Sequence, residues 1–266
     1  MKNLSNPRCY ARSLCDCSDK LSREHYVSAS VLELLGEMHT ISNASWLSPG
    51  QSSKPLPVGA LGSNILCERH NNALSDLDAC AKEFFDGLLR ALSKSQGPVP
   101  DEILRVDGEK LERWVLKACC GALASGNLLE NATRVSREPP RNWLGILFSE
   151  SAWEVNTGLQ IRQTSIAPHH GYSIGPVYNG ETWSGGGLEF AGVELFVLLD
   201  SGIEKQIWET STNETSPLIY RPGVIRFESS LRTTEIELQW QKWIPAEGVR
   251  YFTPLPPAQP PATEPS

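Results

Sequence analysis

Asn64-Ile65-Leu66-Cys67-Glu68-Arg69-His70-Asn71 is a short apolar run that ends on a Cys-x-x-His pair. That spacing lets a turn, or the start of a helix, aim a thiolate and an imidazole at one point. A structural Zn2+ takes four S/N ligands, as a rule in two close pairs from distant parts of the chain. The partner pair must come from upstream, where Cys9, Cys15 and Cys17 stand among polar residues. Three thiols compete there for two places. Cys15-x-Cys17 is tighter than the usual two-residue gap, so the expected ligand set is Cys9, Cys17, Cys67 and His70, with Cys15 as the alternate. A zone this poor in apolar residues needs such a staple, because a small core alone is marginal.

Downstream of this stretch the pattern turns helical. Ser75, Asp76 and Asp78 suit a cap and a first turn, and Leu77, Cys80, Ala81, Phe84, Phe85, Leu88, Leu89 and Leu92 form one stripe. A second helix is expected from Gly108 to Ser125, with Leu111, Trp114, Val115, Ala118, Cys119 and Ala122 on one side and Gly126 as its stop. Cys80, Cys119 and Cys120 fall on these apolar stripes and read as core rather than ligands. After Pro139-Pro140 the strand candidates are Trp143–Phe148, Gly158–Gln163, Leu188–Leu199, Leu218–Arg221, Val224–Phe227 and Glu235–Trp240. Gly185-Gly186-Gly187 reads as a hairpin turn, and His169-His170 as loop. His39 reads as loop or structural, and Trp114, Trp143 and Trp240 as core. Upstream, Val31–Leu35 reads as a short inserted helix. The expected fold class is α+β in four zones: a zinc-stapled module over 1–80, central helices over 81–138, a β-rich domain over 139–250, and a disordered Pro-rich tail over 251–266.

Composition narrows the function classes. With 40% hydrophobic and 21% charged residues, a globular protein with a sizeable core is expected. No run of 18 apolar residues exists, and the polar N-terminus has no signal core, so no membrane association is expected and the location expected is the cytoplasm. In that reducing compartment the seven cysteines are ligands or buried hydrophobes rather than disulfides. A net charge of -7 argues against coating nucleic acid nonspecifically. Residues 1–71 hold seven Lys/Arg against six Asp/Glu, so any nucleic acid is expected on that near-neutral part or on a small basic patch.

Glu24-His25 stands between the two ligand pairs, and Asn71 follows directly after a zinc ligand. A Glu-His pair alone is weak; an Asn held beside a staple strengthens it. The arrangement resembles the HNH endonuclease family over roughly residues 9–80. That resemblance implies two short strands and a helix around one metal, a ββα-metal fold. It casts Glu24-His25 as the acidic-His pair, Asn64 as the middle Asn and Asn71 as the final one, with Cys67 and His70 as the second zinc pair.

It further implies phosphodiester hydrolysis with His25 as general base, since a near-neutral pKa suits that work. Glu24 and Asn71 would be oxygen ligands for a catalytic Mg2+ or Mn2+. Asn64 would hold the His25 loop, and Arg23 and Arg69 would contact phosphate. The implied partner is nucleic acid, DNA in preference to RNA. By family analogy the setting is a bacterial defence or mobile-element system, with the C-terminal domain taking a regulatory ligand or protein partner.

The sequence departs from that pattern in three ways. Glu24 replaces the commoner Asp, the Pro often found two residues after the His is absent, and the span from His25 to Asn64 is long. A catalytically inactive zinc-stapled module that binds nucleic acid or protein is the competing expectation.

Overall fold

The computed structural model of the chain describes residues 6–42, 47, 53–93, 102–130, 133–163, 169–180, 182–200, 217–228, 233–245 and 248–252. The tail expected over 251–266 lies, from 253 on, outside them. A 3-10 turn at Arg12–Leu14 leads into strand β1 (Leu21–Glu24). The Val31–Leu35 segment does hold a short helix, α1 (Ala29–Leu32), continued by a 3-10 turn at Glu33–Leu35. Strands β2 (Met38–Ser42) and β3 (Ser53–Pro57) pair antiparallel, Met38 opposite Pro57 and Ser42 opposite Ser53. His39 is therefore a buried strand residue, not loop.

A 3-10 turn at Val58–Leu61 hands the chain to β4 (Ser63–Cys67), which runs antiparallel to β1. Leu21 faces Cys67 and Glu24 faces Ser63, with a bulge between Ser22 and Glu24. Helix α2 (Glu68–Ala73) begins at once, and α3 (Ser75–Leu92) follows it past Leu74. The N-terminal zone is thus strand, strand, helix, with the β2–β3 hairpin inserted between the two strands.

Strand β5 (Glu102–Asp107) precedes α4 (Gly108–Ser125). The Asp107 side chain accepts from the Lys110 amide as an N-cap, and Gly126, left-handed at φ 68°, closes the helix. α4 is buried along most of its length, and Trp114 packs edge-on against Phe85 of α3.

Strands β6 (Leu128–Glu130) and β7 (Thr133–Val135) form a small hairpin. The Trp143–Phe148 run, expected as a strand, is instead helix α5 (Arg141–Leu147). A short apolar run reads alike for either element; here Pro140 sits at the N-cap and Trp143, Ile146 and Leu147 bury one helical face.

Five strands form the larger sheet: β8 (Gly158–Arg162), β9 (Tyr172–Asn179), β10 (Thr182–Phe190), β11 (Val193–Leu198) and β12 (Leu218–Tyr220). Their order is β12-β8-β11-β10-β9, so β9 is an edge strand. The Leu188–Leu199 run is not one strand. Ala191 and Gly192, with φ of 53° and 94°, turn it into the β10–β11 hairpin. Gly185-Gly186-Gly187, read as a turn, lies inside β10 instead. A Cβ at Gly186 would collide with Cys119 Sγ, so the glycine lets α4 lie close on the sheet.

A four-stranded sheet is completed by β13 (Val224–Glu228), β14 (Thr233–Gln239) and β15 (Val249–Phe252), in the order β15-β13-β14-β5. β5 and β14 run parallel, which ties the central helices to the C-terminal strands. One cluster of buried apolar residues runs from Cys9 to Tyr251 and includes Trp114 and Trp143, while Trp240 packs against it partly buried. Among the described residues no helix is long and apolar enough to cross a membrane.

Candidate metal centre and the polar cluster beside it

The segment before β1, the end of β4 and the start of α2 bring four ligand atoms together. Cys9, Cys17, Cys67 and His70 are all buried, and their ligand atoms lie within 4.8 Å of one another. His70 Nδ1 is 3.1 Å from Cys67 Sγ, 3.4 Å from Cys9 Sγ and 3.9 Å from Cys17 Sγ. For tetrahedral zinc, Zn–S of about 2.3 Å and Zn–N of about 2.0 Å put each sulfur about 3.5 Å from the nitrogen. The three distances bracket that value, so the cluster can hold a metal ion such as zinc.

Local structure explains the selection among the three upstream thiols. Cys15 adopts a left-handed conformation, φ 62°, at the end of the 3-10 turn and turns its side chain out to solvent. The reversal brings Cys17 back inward. The Tyr10 amide bonds the Ile65 carbonyl at 2.9 Å, which lays the Cys9 turn on β4. The set Cys9, Cys17, Cys67 and His70 is thus assembled, and Cys15 is left outside.

Burying thiolates here costs free energy that a soft dication would offset. Burial pushes the Cys9 thiol up to about 12 and raises Cys17 as well. Burial acts the same way on Cys67, but the backbone amides of His70 and Ser18 outweigh it and bring that thiol below its ordinary value. Burial also lowers His70, so its imidazole is neutral and able to ligate. On its far side, His70 Nε2 lies 2.8 Å from Asp16 Oδ1. A carboxylate there favours the Nε2–H tautomer and leaves the Nδ1 lone pair aimed at the thiols. Asp16 also holds Arg69 at 2.7 Å, so Arg69 is engaged by a carboxylate while remaining largely exposed. Asp16 was not among the residues singled out from sequence; its position between two candidate ligands is the signal that could have found it.

The residues expected around a second cation are placed differently. Ser22 and Glu24 face the helices: Ser22 Oγ accepts from Asn71 Nδ2 at 3.0 Å, and Glu24 Oε1 meets Lys117 Nζ of α4 at 2.6 Å. Arg23 and His25 face the other way, both against Gly62. Asn64 is exposed on β4. Glu24 and Asn71 thus share a side of β1, whereas His25 lies on the opposite one.

Glu24 is 3% exposed and Lys117 1%. Lys117 Nζ also meets Asp78 Oδ1 at 2.6 Å, and Asp78 accepts from Ser28 Oγ and from Trp114 Nε1, the latter at 3.1 Å. Burial raises the Glu24 carboxyl despite the opposing pull of the Lys117 ammonium. The Lys117 ammonium therefore already neutralises the carboxylate that a catalytic Mg2+ or Mn2+ would need. Lys117 escaped the sequence reading; the lone charge in Val115-Leu116-Lys117-Ala118-Cys119-Cys120 is its signal.

His25 Nε2 lies 3.1 Å from the Val58 carbonyl oxygen. Only the Nε2–H tautomer can donate there, which leaves the Nδ1 lone pair as the basic site. Burial lowers His25 below its ordinary 6.5, more than the Val58 bond raises it. His169, expected in loop, lies outside any strand and pairs with Glu189 at 3.0 Å.

Comparison with known proteins finds no match, neither to a family model nor to a curated protein or a solved structure.

Proposed function

We propose that the β1–β4–α2 unit is an HNH-type ββα module and that the protein hydrolyses phosphodiester bonds in nucleic acid, DNA in preference to RNA. The observation that carries this reading is His25, which stands directly after β1 with its ring pinned by a backbone carbonyl and its pKa lowered. A neutral imidazole with a free Nδ1 lone pair can take the proton from an attacking water at neutral pH. The Cys/His cluster supports it by fixing α2 and the end of β4 to the segment before β1. As they stand, Glu24 and Asn71 do not fit a Mg2+ or Mn2+ site, because Lys117 and Ser22 hold them.

The Glu24–Lys117 pair favours a second reading, a zinc-stapled nucleic-acid- or protein-binding module without catalysis. A nicking assay on supercoiled plasmid with Mg2+ or Mn2+ separates the two. Nicking by wild type and none by His25→Ala, at equal zinc content, supports hydrolysis. Equal rates in both refute His25 as the base, and zinc-loaded protein that nicks nothing supports the binding module.

A further inference from the structure

Beside the ββα unit, between the β2–β3 hairpin and the first half of β9, lies an open cleft of about 1250 Å3. Its walls come from parts of the chain far apart in sequence, and its rim includes Gly62, the residue against which Arg23 and His25 pack. Ordinary small-molecule pockets hold about 300–1,000 Å3, so this cleft has room for a segment of polymer.

The lining has an unusual charge. The chain carries 31 acidic residues, yet among the described residues the cleft walls contain no Asp or Glu. They contain Lys54, His39 and His170. Lys54 is exposed on β3 and has no ion-pair partner among the described residues. His39 is only 7% exposed, and its Nε2 has no hydrogen-bond partner among them. A buried ring nitrogen left unpaired costs free energy, so a group supplied from outside would stabilise it. The His39 ring also packs edge-on against Tyr172, with 5.9 Å between centroids. Tyr26 and Tyr172 give the cleft two aromatic rings beside Lys54. Since β9 is an edge strand, its outer backbone donors add to them.

We infer that this cleft binds a single-stranded segment of nucleic acid, with Lys54 and His39 facing phosphate or base edges and a tyrosine ring stacking a base. A cation and hydrogen-bonding rings beside aromatic faces, without carboxylates, suit a single strand, because every base offers a face to stack and every nucleotide a charge to neutralise. A peptide added along β9 would need neither the cation nor the missing carboxylates. The inference deepens the nucleic-acid reading above, and it rests on that reading only for the choice of polymer. It places the recognition of the strand outside the ββα unit, on the inserted hairpin and the C-terminal sheet.

The test is fluorescence anisotropy of a labelled oligothymidylate of about ten nucleotides, titrated with the full zinc-loaded chain without added Mg2+ or Mn2+. Wild type is expected to bind saturably, more tightly than it binds the matching duplex. Lys54→Gln should lower the slope of log affinity against log salt by about one. His39→Gln should weaken binding about tenfold. The readout is binding and not cleavage, so failure of the hydrolytic reading leaves this result intact. Melting temperature and zinc content show that each variant is folded, and exposed Lys54 is the safer change. No saturable binding by wild type, preference for the duplex, or equal affinity and salt slope in wild type and Lys54→Gln would overturn the inference.

Discussion

Replacing Lys117 by Met removes the ammonium that joins Glu24 to Asp78 while keeping a side chain of similar length. Glu24 has no water to turn to, at 3% exposure, and breaking a buried pair from one side costs roughly 3–5 kcal/mol. The carboxyl can escape by taking a proton, which sets a ceiling on the loss. From its ordinary value of 4.5, protonation costs about 4 kcal/mol at about pH 7.5 and about 1.4 kcal/mol at about pH 5.5. Asp78, whose side chain is 29% exposed, still has water and the Trp114 donor as partners.

Lys117→Met is therefore expected to lose roughly 3–4 kcal/mol at about pH 7.5 and only about 1 kcal/mol at about pH 5.5. The sign follows from the carboxyl, whose raised value in the folded variant gives stability at low pH that is lost as pH rises. Urea unfolding at the two pH values measures both losses. Adding Glu24→Gln should recover much of the deficit at the higher pH, since no buried charge then remains. A loss under about 1 kcal/mol that does not change with pH would refute the buried ion pair, and with it the placement of Glu24 away from a cation.

The other predictions concern the metal centre, His25 and the C-terminal sheet. Elemental analysis should find about one zinc per chain, lost in Cys67→Ser and kept in Cys15→Ser; loss in both would bring Cys15 back as a ligand. Asp16→Asn should weaken zinc affinity about 10–100-fold in a chelator competition, because Nε2 loses its carboxylate. In an NMR titration His25 should protonate below its ordinary 6.5. Stability from this neutral imidazole is then complete above that value and is lost as pH falls through the lower folded one. Glu112, fully buried, bonds the Leu159 amide at 2.7 Å and Arg221 at 2.7 Å. Glu112→Ala should cost roughly 3–5 kcal/mol by urea unfolding, more than any single exposed pair.

Sequence alone pointed to the cluster of Cys9, Cys17, Cys67 and His70, with Cys15 as alternate to one thiol, because spacing and polar context leave few ways to build a four-ligand knot. It determined the two long helices for a related reason: an apolar stripe at helical period can be buried in one way only. Short elements were less legible. Trp143–Phe148 is helical and Leu188–Leu199 is two strands, since runs of this length carry no clear period and the neighbours decide. What only the tertiary structure decided is the fate of the polar residues. Glu24 was chosen from its neighbour in sequence, but a lysine 93 positions away claims its carboxylate. His39 has no motif around it, yet the meeting of the β2–β3 hairpin with β9 buries it at the edge of a cleft. Charges and lone pairs are satisfied through space, and a linear motif records only the half of each contact that it contains.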